Sequence, residues 1–196
     1  TKVNGVAVRV SEETDYPFSD RIRFVVRPER PIRFDLVLRI PENSGDVAVE
    51  AGPRARVARD KEAVRISNEW RPGDVVTVNF DFRVARKVSQ DGKELYYQWG
   101  PLVFALPFPV EMTVREEIVT NSGARSGFHE YSLRAKSAEG WNCRIDPDAD
   151  FRIVSLPDGD KLRPWAKPPI GLQGSLRNER DEAVDVTLVP MGATLL

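Results

Sequence analysis

The chain has 196 residues, 41% of them apolar and 30% charged, with a formal net charge of -1. A chain of this length buries roughly 70% of its unfolded surface, enough for one large all-β domain or two small ones, and its near-neutral charge supplies no field to gather nucleic acid or anionic lipid. The single cysteine, Cys143, excludes an intrachain disulfide and a cysteine-based structural zinc site while leaving the redox compartment open.

Period-2 alternation dominates the chain. Ile32, Phe34, Leu36, Leu38 and Ile40 alternate with Arg33, Asp35 and Arg39, which predicts a half-buried strand. Val76, Val78, Phe80 and Phe82 against Thr77, Asn79 and Asp81 predict a second, and Val184, Val186 and Leu188 against Asp185 and Thr187 a third. Phe34, Leu36, Leu38, Val76, Val78 and Phe80 are expected to face one core. Fifteen prolines and 13 glycines cut the chain into strand-length pieces, with turn signals such as "PENSGD" (41–46), "RPGD" (71–74), "QDGK" (90–93) and "RNERDE" (177–182). Little helix is expected.

The least polar stretch, "ELYYQWGPLVFALPFP" (94–109), poses the sharpest question, because aromatics there suit either a ligand shelf or a buried strand. It reads as one central strand, "YYQWGPLVFAL", buried on both faces, with Gly100–Pro101 forcing a bulge or bend. Its longest apolar run, Leu102 to Phe108, contains Pro107 and is far short of the ~20 residues of a membrane helix. The prolines of "LPFPVE" (106–111) mark the expected seam, giving a first β-sandwich over residues 1–108 and a second over 109–196. The predicted fold is all-β, two consecutive antiparallel, jelly-roll-like β-sandwiches. The chain opens on Thr1 and stops in an apolar Leu195–Leu196, which suggests a piece excised from something longer.

No residue pattern assembles an active site. His129, the only histidine, stands in "GFHEYSL" with no nucleophile elbow elsewhere, and reads as a surface or packing residue. Cys143, in "GWNCRID", reads as a small buried hydrophobe beside Trp141 rather than a nucleophile. "DPDAD" (146–150) lacks the glycine and distal glutamate of a calcium loop, and "NSGARSG" (121–127) reads as a flexible loop rather than a phosphate cradle. The 30 acidic residues offer many carboxylate pairs, and spacing selects none. Trp70, Trp99, Trp141 and Trp165 are scattered, and aromatics inside alternating strands are more often core than sugar platform.

Several segments nevertheless carry a resemblance in order and spacing. "SEETDYPFSDRIRFVV", "FDLVLRIPENSGDVAVEAG", "ISNEWRPGDVVTVNFDF" and "YYQWGPLVFALPFP", followed by "SGFHEYSLRAKSAEGWNCRIDPD", "RPWAKPPIGLQGSLRN" and "VDVTLVPMGATLL", resemble the region after the catalytic barrel in β-L-arabinofuranosidase-like glycoside hydrolases of family 127. The joint occurrence of Leu36 to Pro41, Trp70 to Asp74 and Gly100 to Val103 carries the likeness. Glu42–Asn43 and Met191 depart from it. The resemblance implies that the catalytic glutamate and zinc-holding cysteines lie in an N-terminal (α/α) barrel outside this chain. Neither catalytic residue nor cofactor is therefore expected here.

The implied role is accessory: β-sandwiches that pack on their own barrel, with a homodimer and an oligosaccharide as further candidate partners, and neither nucleic acid nor membrane. The competing readings are a carbohydrate-binding module and a structural or oligomerisation domain. Tyr16, Phe18, Trp99, Phe108 and Trp165 join aromatics to prolines in expected loops, and are the candidate interdomain or glycan contacts, expected to form an exposed apolar patch.

Overall fold

The computed structural model describes residues 1–136, 142–146 and 148–194; Trp141, which sequence placed beside Cys143, lies outside them. It is all-β. The strands are β1 Lys2–Val3, β2 Val6–Thr14, β3 Arg21–Pro28, β4 Ile32–Arg39, β5 Val47–Ala51, β6 Arg56–Arg59, β7 Ala63–Trp70, β8 Asp74–Phe80, β9 Val84–Val88, β10 Leu95–Trp99, β11 Leu102–Ala105, β12 Val110–Val119, β13 Arg125–Ala135, β14 Arg144–Ile145, β15 Arg152–Ser155, β16 Ile170–Arg177 and β17 Ala183–Pro190. The one helical element among the described residues is a 3-10 turn, Met191–Ala193, so no described helix is long and apolar enough to cross a membrane.

All pairings are antiparallel, and they build two bodies. In the first, the five-stranded sheet β1-β2-β3-β8-β5 faces the three-stranded sheet β4-β7-β6. Alternation decides what each strand turns inward: β4 turns in Phe34, Leu36 and Leu38, and β7 turns in Val64, Ile66 and Trp70. Trp70 spends its one donor on the fold, since its indole N–H donates to the Phe34 carbonyl at 3.0 Å. Val76, Val78 and Phe80 of β8 are buried with them in the same core. β8 sits between β3 and β5, and even its Thr77 is buried, so this strand is drier than its alternation predicts.

The second body is a curled seven-stranded sheet, ordered β14-β16-β17-β11-β10-β9 with β15 also on β16. Here "YYQWGPLVFAL" departs from the expected single strand. It forms a tight hairpin in which Trp99 pairs with Leu102, Gln98 with Val103 and Tyr97 with Phe104, leaving Gly100–Pro101 as a two-residue turn. Gly100 has φ +53°, the sign required at the first turn position when proline sets the second, and a Cβ there would lie 2.7 Å from the Phe82 ring. Tyr97, Trp99, Leu102 and Phe104 share the buried face, while Tyr96, Gln98 and Val103 are only half-covered.

A division at 108/109 would part β11 from β17, with which it pairs through Phe104–Pro190 and Ala105–Val189. The chain passes from the first body to the second near residue 82, between β8 and β9, and leaves the seven-stranded sheet again at the prolines of "LPFPVE", which precede β12; with β13 this strand forms a two-stranded sheet of its own. One continuous hydrophobic cluster runs through both bodies, from Val26 and Ile66 to Phe151 and Leu172.

Ile66 has no exposed surface, whereas Leu36 is half-buried. Ile66→Ala should cost roughly 2–5 kcal/mol and Leu36→Ala distinctly less, read as the shift in denaturant midpoint at constant slope. A second expectation concerns acid. The carboxyls of Asp35, Asp60, Asp91, Asp146 and Asp160 are all held below the ordinary range by hydrogen bonds, Asp35 chiefly from Ser67 and Asp146 chiefly from the Asp148 amide. A lowered folded pKa contributes stability above the unfolded value of about 3.9 and loses it as pH falls through the folded values. Melting temperature should therefore be insensitive to these groups from pH 7 to about 5 and drop below about 4.

Candidate functional site

Two loops meet where the bodies join. The first, between β2 and β3, is closed by its own polar groups: the Thr14 hydroxyl donates to the Arg21 carbonyl at 2.7 Å and accepts the Tyr16 amide at 2.9 Å, and the Phe18 amide donates to the Asp15 carbonyl at 2.8 Å. The second, between β15 and β16, is a proline-rich run in which strand alternation fails. It is folded by Asp160, whose carboxylate accepts the Leu162 amide at 2.9 Å and the Arg163 guanidinium Nε at 3.0 Å. Those bonds hold the Asp160 carboxyl below its usual range. Across the gap, Lys161 donates to Asp15 and closes an ion pair between the two loops.

Between them lies a cleft of about 660 Å³, lined by Tyr16, Phe18, Trp99 and Trp165 among others. Four of the five aromatics singled out from sequence thus converge on one place. Phe108 does not line it. The expected exposed patch is smaller than the list suggested, because Phe18 and Trp99 are buried, at 8% and 9% exposure, and Tyr16 is half-buried. Burial also pushes the Tyr16 phenol up, against a smaller opposing pull from Arg39. Trp165 alone of the four is open, at 47%, with its ring held edge-on by Phe18 at 4.9 Å and 64° and seated on Gly192, where a Cβ would come within 2.7 Å.

Leu162, 92% exposed, and Met191, beside Gly192, expose further apolar surface, and sequence reasoning counted neither among the candidate contacts. The available signal was that "DKLRPWAKPP" places large apolar residues in a segment with neither strand nor helix period. Phe108 is exposed on the connection between β11 and β12.

A second cavity, on the β4-β7-β6 side, has a different chemistry. Arg33, Asp35, Arg54, Arg56, Ser67 and Glu69 line it, and their charges are largely paired: Asp35 with Arg65 at 3.0 Å and Ser67 at 2.7 Å, and Arg54 with Asp74 at 3.3 Å. Among the described residues no three His, Cys, Asp or Glu side chains converge as a metal site. His129 lies on β13 opposite Glu117, and Cys143 is a half-buried free thiol.

Comparison with known proteins agrees with this architecture. Residues 1–82 match the family model for the middle domain of GH127 β-L-arabinofuranosidases, ending where β8 hands over to the second body. No curated protein matches the chain by sequence. Among solved structures, a GH127 β-L-arabinofuranosidase from Geobacillus stearothermophilus T6 is 20% identical with a TM-score of 0.63, and the match covers 98% of this chain and 29% of that one. A protein described as a glycoside hydrolase is 20% identical with a TM-score of 0.58, covering 97% and 32%. A GH127 β-arabinofuranosidase is 15% identical with a TM-score of 0.58, covering 98% and 30%. This chain therefore spans about a third of the length of each. By sequence over residues 1–82 and by fold over nearly its whole length, the chain is similar to the β-sandwich region of the β-L-arabinofuranosidase-like glycoside hydrolases of family 127.

Proposed function

We propose that this chain is the non-catalytic accessory region of a family 127-type glycoside hydrolase, and that it packs on a helical (α/α) barrel acting on arabinose-containing glycans. The match of residues 1–82 to a middle domain carries this reading, since a middle domain has its catalytic partner in the same polypeptide. The catalytic glutamate and the thiolate-held zinc belong to that barrel in this reading. The surface supports a contact near the cleft: Trp165, Leu162 and Met191 expose apolar area, and the Trp165 ring packs edge-on against Phe18. Interdomain faces of this kind bury about 600–1,500 Å² and tolerate the mix of ion pair and aromatic found there.

A glycan-binding module is the second reading, favoured by one observation. The Trp165 ring is half-open and held in place by Phe18 and Gly192, as a sugar-stacking platform requires.

The deciding experiment mixes this chain with the separately expressed catalytic domain of its parent and measures association by calorimetry. Trp165→Ala should weaken that association at least tenfold, about 1.4 kcal/mol, while leaving the melting temperature nearly unchanged. Phe18→Ala should instead destabilise the fold by roughly 3–5 kcal/mol. No association between wild-type chain and catalytic domain would sink the accessory reading, and arabinan oligosaccharide binding lost in Trp165→Ala would establish the module reading. The chain alone should release no product from an aryl arabinoside.

A further inference from the structure

Strand β6 covers β7 only from Val64 to Ser67, so Asn68, Glu69 and Trp70 stand beyond its end, at an open edge of the three-stranded sheet. The second cavity, of about 810 Å³, runs past that end, where the two faces of the sheet meet. Its lining therefore combines outward guanidiniums with Asn68, which alternation turns inward alongside Ile66 and Trp70. Asn68 is only 9% exposed, and its Oδ1 is buried without a hydrogen bond. An unmet buried acceptor destabilises a fold, and native chains keep few of them. The cations beside it are under-used as well. Arg56 has no carboxylate partner among the described residues, and Arg54 reaches the Asp74 oxygens only at 3.3 and 3.5 Å. Glu69 is shared between Arg33 at 3.9 Å and Arg71 at 3.8 Å. Asp35, by contrast, is committed to Ser67 and Arg65.

We propose that this cavity binds a sugar acid, with the carboxylate held by Arg56 and Arg54 and a hydroxyl donating to Asn68 Oδ1. The two halves of the site select two properties of the ligand. Planar guanidinium forks match a carboxylate, and one without a partner of its own gains most from it. The buried Oδ1 needs a donor, which an ionised carboxylate lacks and a sugar hydroxyl has. A neutral sugar would meet the amide and leave Arg56 unanswered. A bare carboxylate would do the reverse. With Arg56 the one uncommitted cation, a single negative charge suits the cavity better than the two of a phosphate monoester. The site differs in place and in chemistry from stacking on Trp165, and it is independent of the accessory reading.

Titrating the isotope-labelled chain with D-glucuronate at low salt should shift the Asn68 side-chain amide and Arg56 Nε resonances saturably, while D-glucose leaves both in place. Arg56→Gln, on an exposed edge strand, should weaken binding about tenfold, and Trp165→Ala should leave it unchanged. Asn68→Leu should abolish binding yet raise the melting temperature, because it removes the unmet acceptor. A lowered melting temperature with binding retained would return the amide to the fold and overturn its part in the site. Glucuronate that binds no better than glucose, or equally well to the wild type and Arg56→Gln, would overturn the proposal. So would tighter binding of a hexose phosphate, which would assign the cavity to phosphate.

Discussion

The joint between the two bodies rests on one aromatic stack. Phe80 ends β8 and Phe82 precedes β9, yet the two rings lie parallel, 5.2 Å apart at 3°. Phe82 meets Trp99 edge-on at 5.1 Å and 82°, and Tyr16 contacts both phenylalanines at 6.3 and 6.4 Å. A residue from each sheet and one from the β2–β3 loop are thereby locked into one buried unit, in the edge and offset geometries that aromatic quadrupoles favour. Two glycines make the approach feasible. At Gly100 a Cβ would enter the Phe82 ring, and at Gly45 it would lie 2.3 Å from the Asp81 carbonyl. Both have positive φ, so side-chain size and backbone conformation impose the same residue.

That joint determines where the cleft can be. Tyr16 and Phe18 are fixed on one side by the aromatic unit and by the Thr14 hydrogen bonds, so the proline-rich loop from the second body must fit over them. Trp165 does so by laying its ring against the edge of Phe18, and Lys161 by pairing with Asp15. The ion pair is exposed and contributes little energy by itself, and its service is orientation. Apolar packing beneath it carries the stability. The cleft is thus a consequence of how two sheets are fastened, which explains why its residues come from sequence positions as distant as 14–20, 99 and 153–170.

Apolar surface is distributed unevenly over the rest of the molecule. The outward face of the β4-β7 pair is covered by Arg33, Asp35, Arg65 and Glu69, whose alternating signs keep it wet and discourage pairing with another sheet. The β12–β13 hairpin does the opposite on one of its faces, where Met112, Val114, Tyr131 and Leu133 stand exposed together.

Sequence alone determined the class of structure, because alternation is a local property: the inward residues of β4, Val76, Val78 and Phe80 of β8, and the near absence of helix were all legible from period and turn chemistry. The resemblance to family 127 was legible for a related reason, since short turn-bounded motifs keep their spacing. Partner choice was not. Gly100–Pro101 is consistent with a bulge in one strand or a turn between two, and only the pairing of Tyr97 with Phe104 decides for the turn. The same holds for the seam, because nothing local to Phe104 or Ala105 announces that their neighbours are Pro190 and Val189. The five aromatics were chosen for their company of prolines, which reports a loop and nothing about depth. Tertiary packing then buried Phe18 and Trp99, left Trp165 open and set Phe108 apart, since burial depends on what the opposite sheet brings and not on the residue itself.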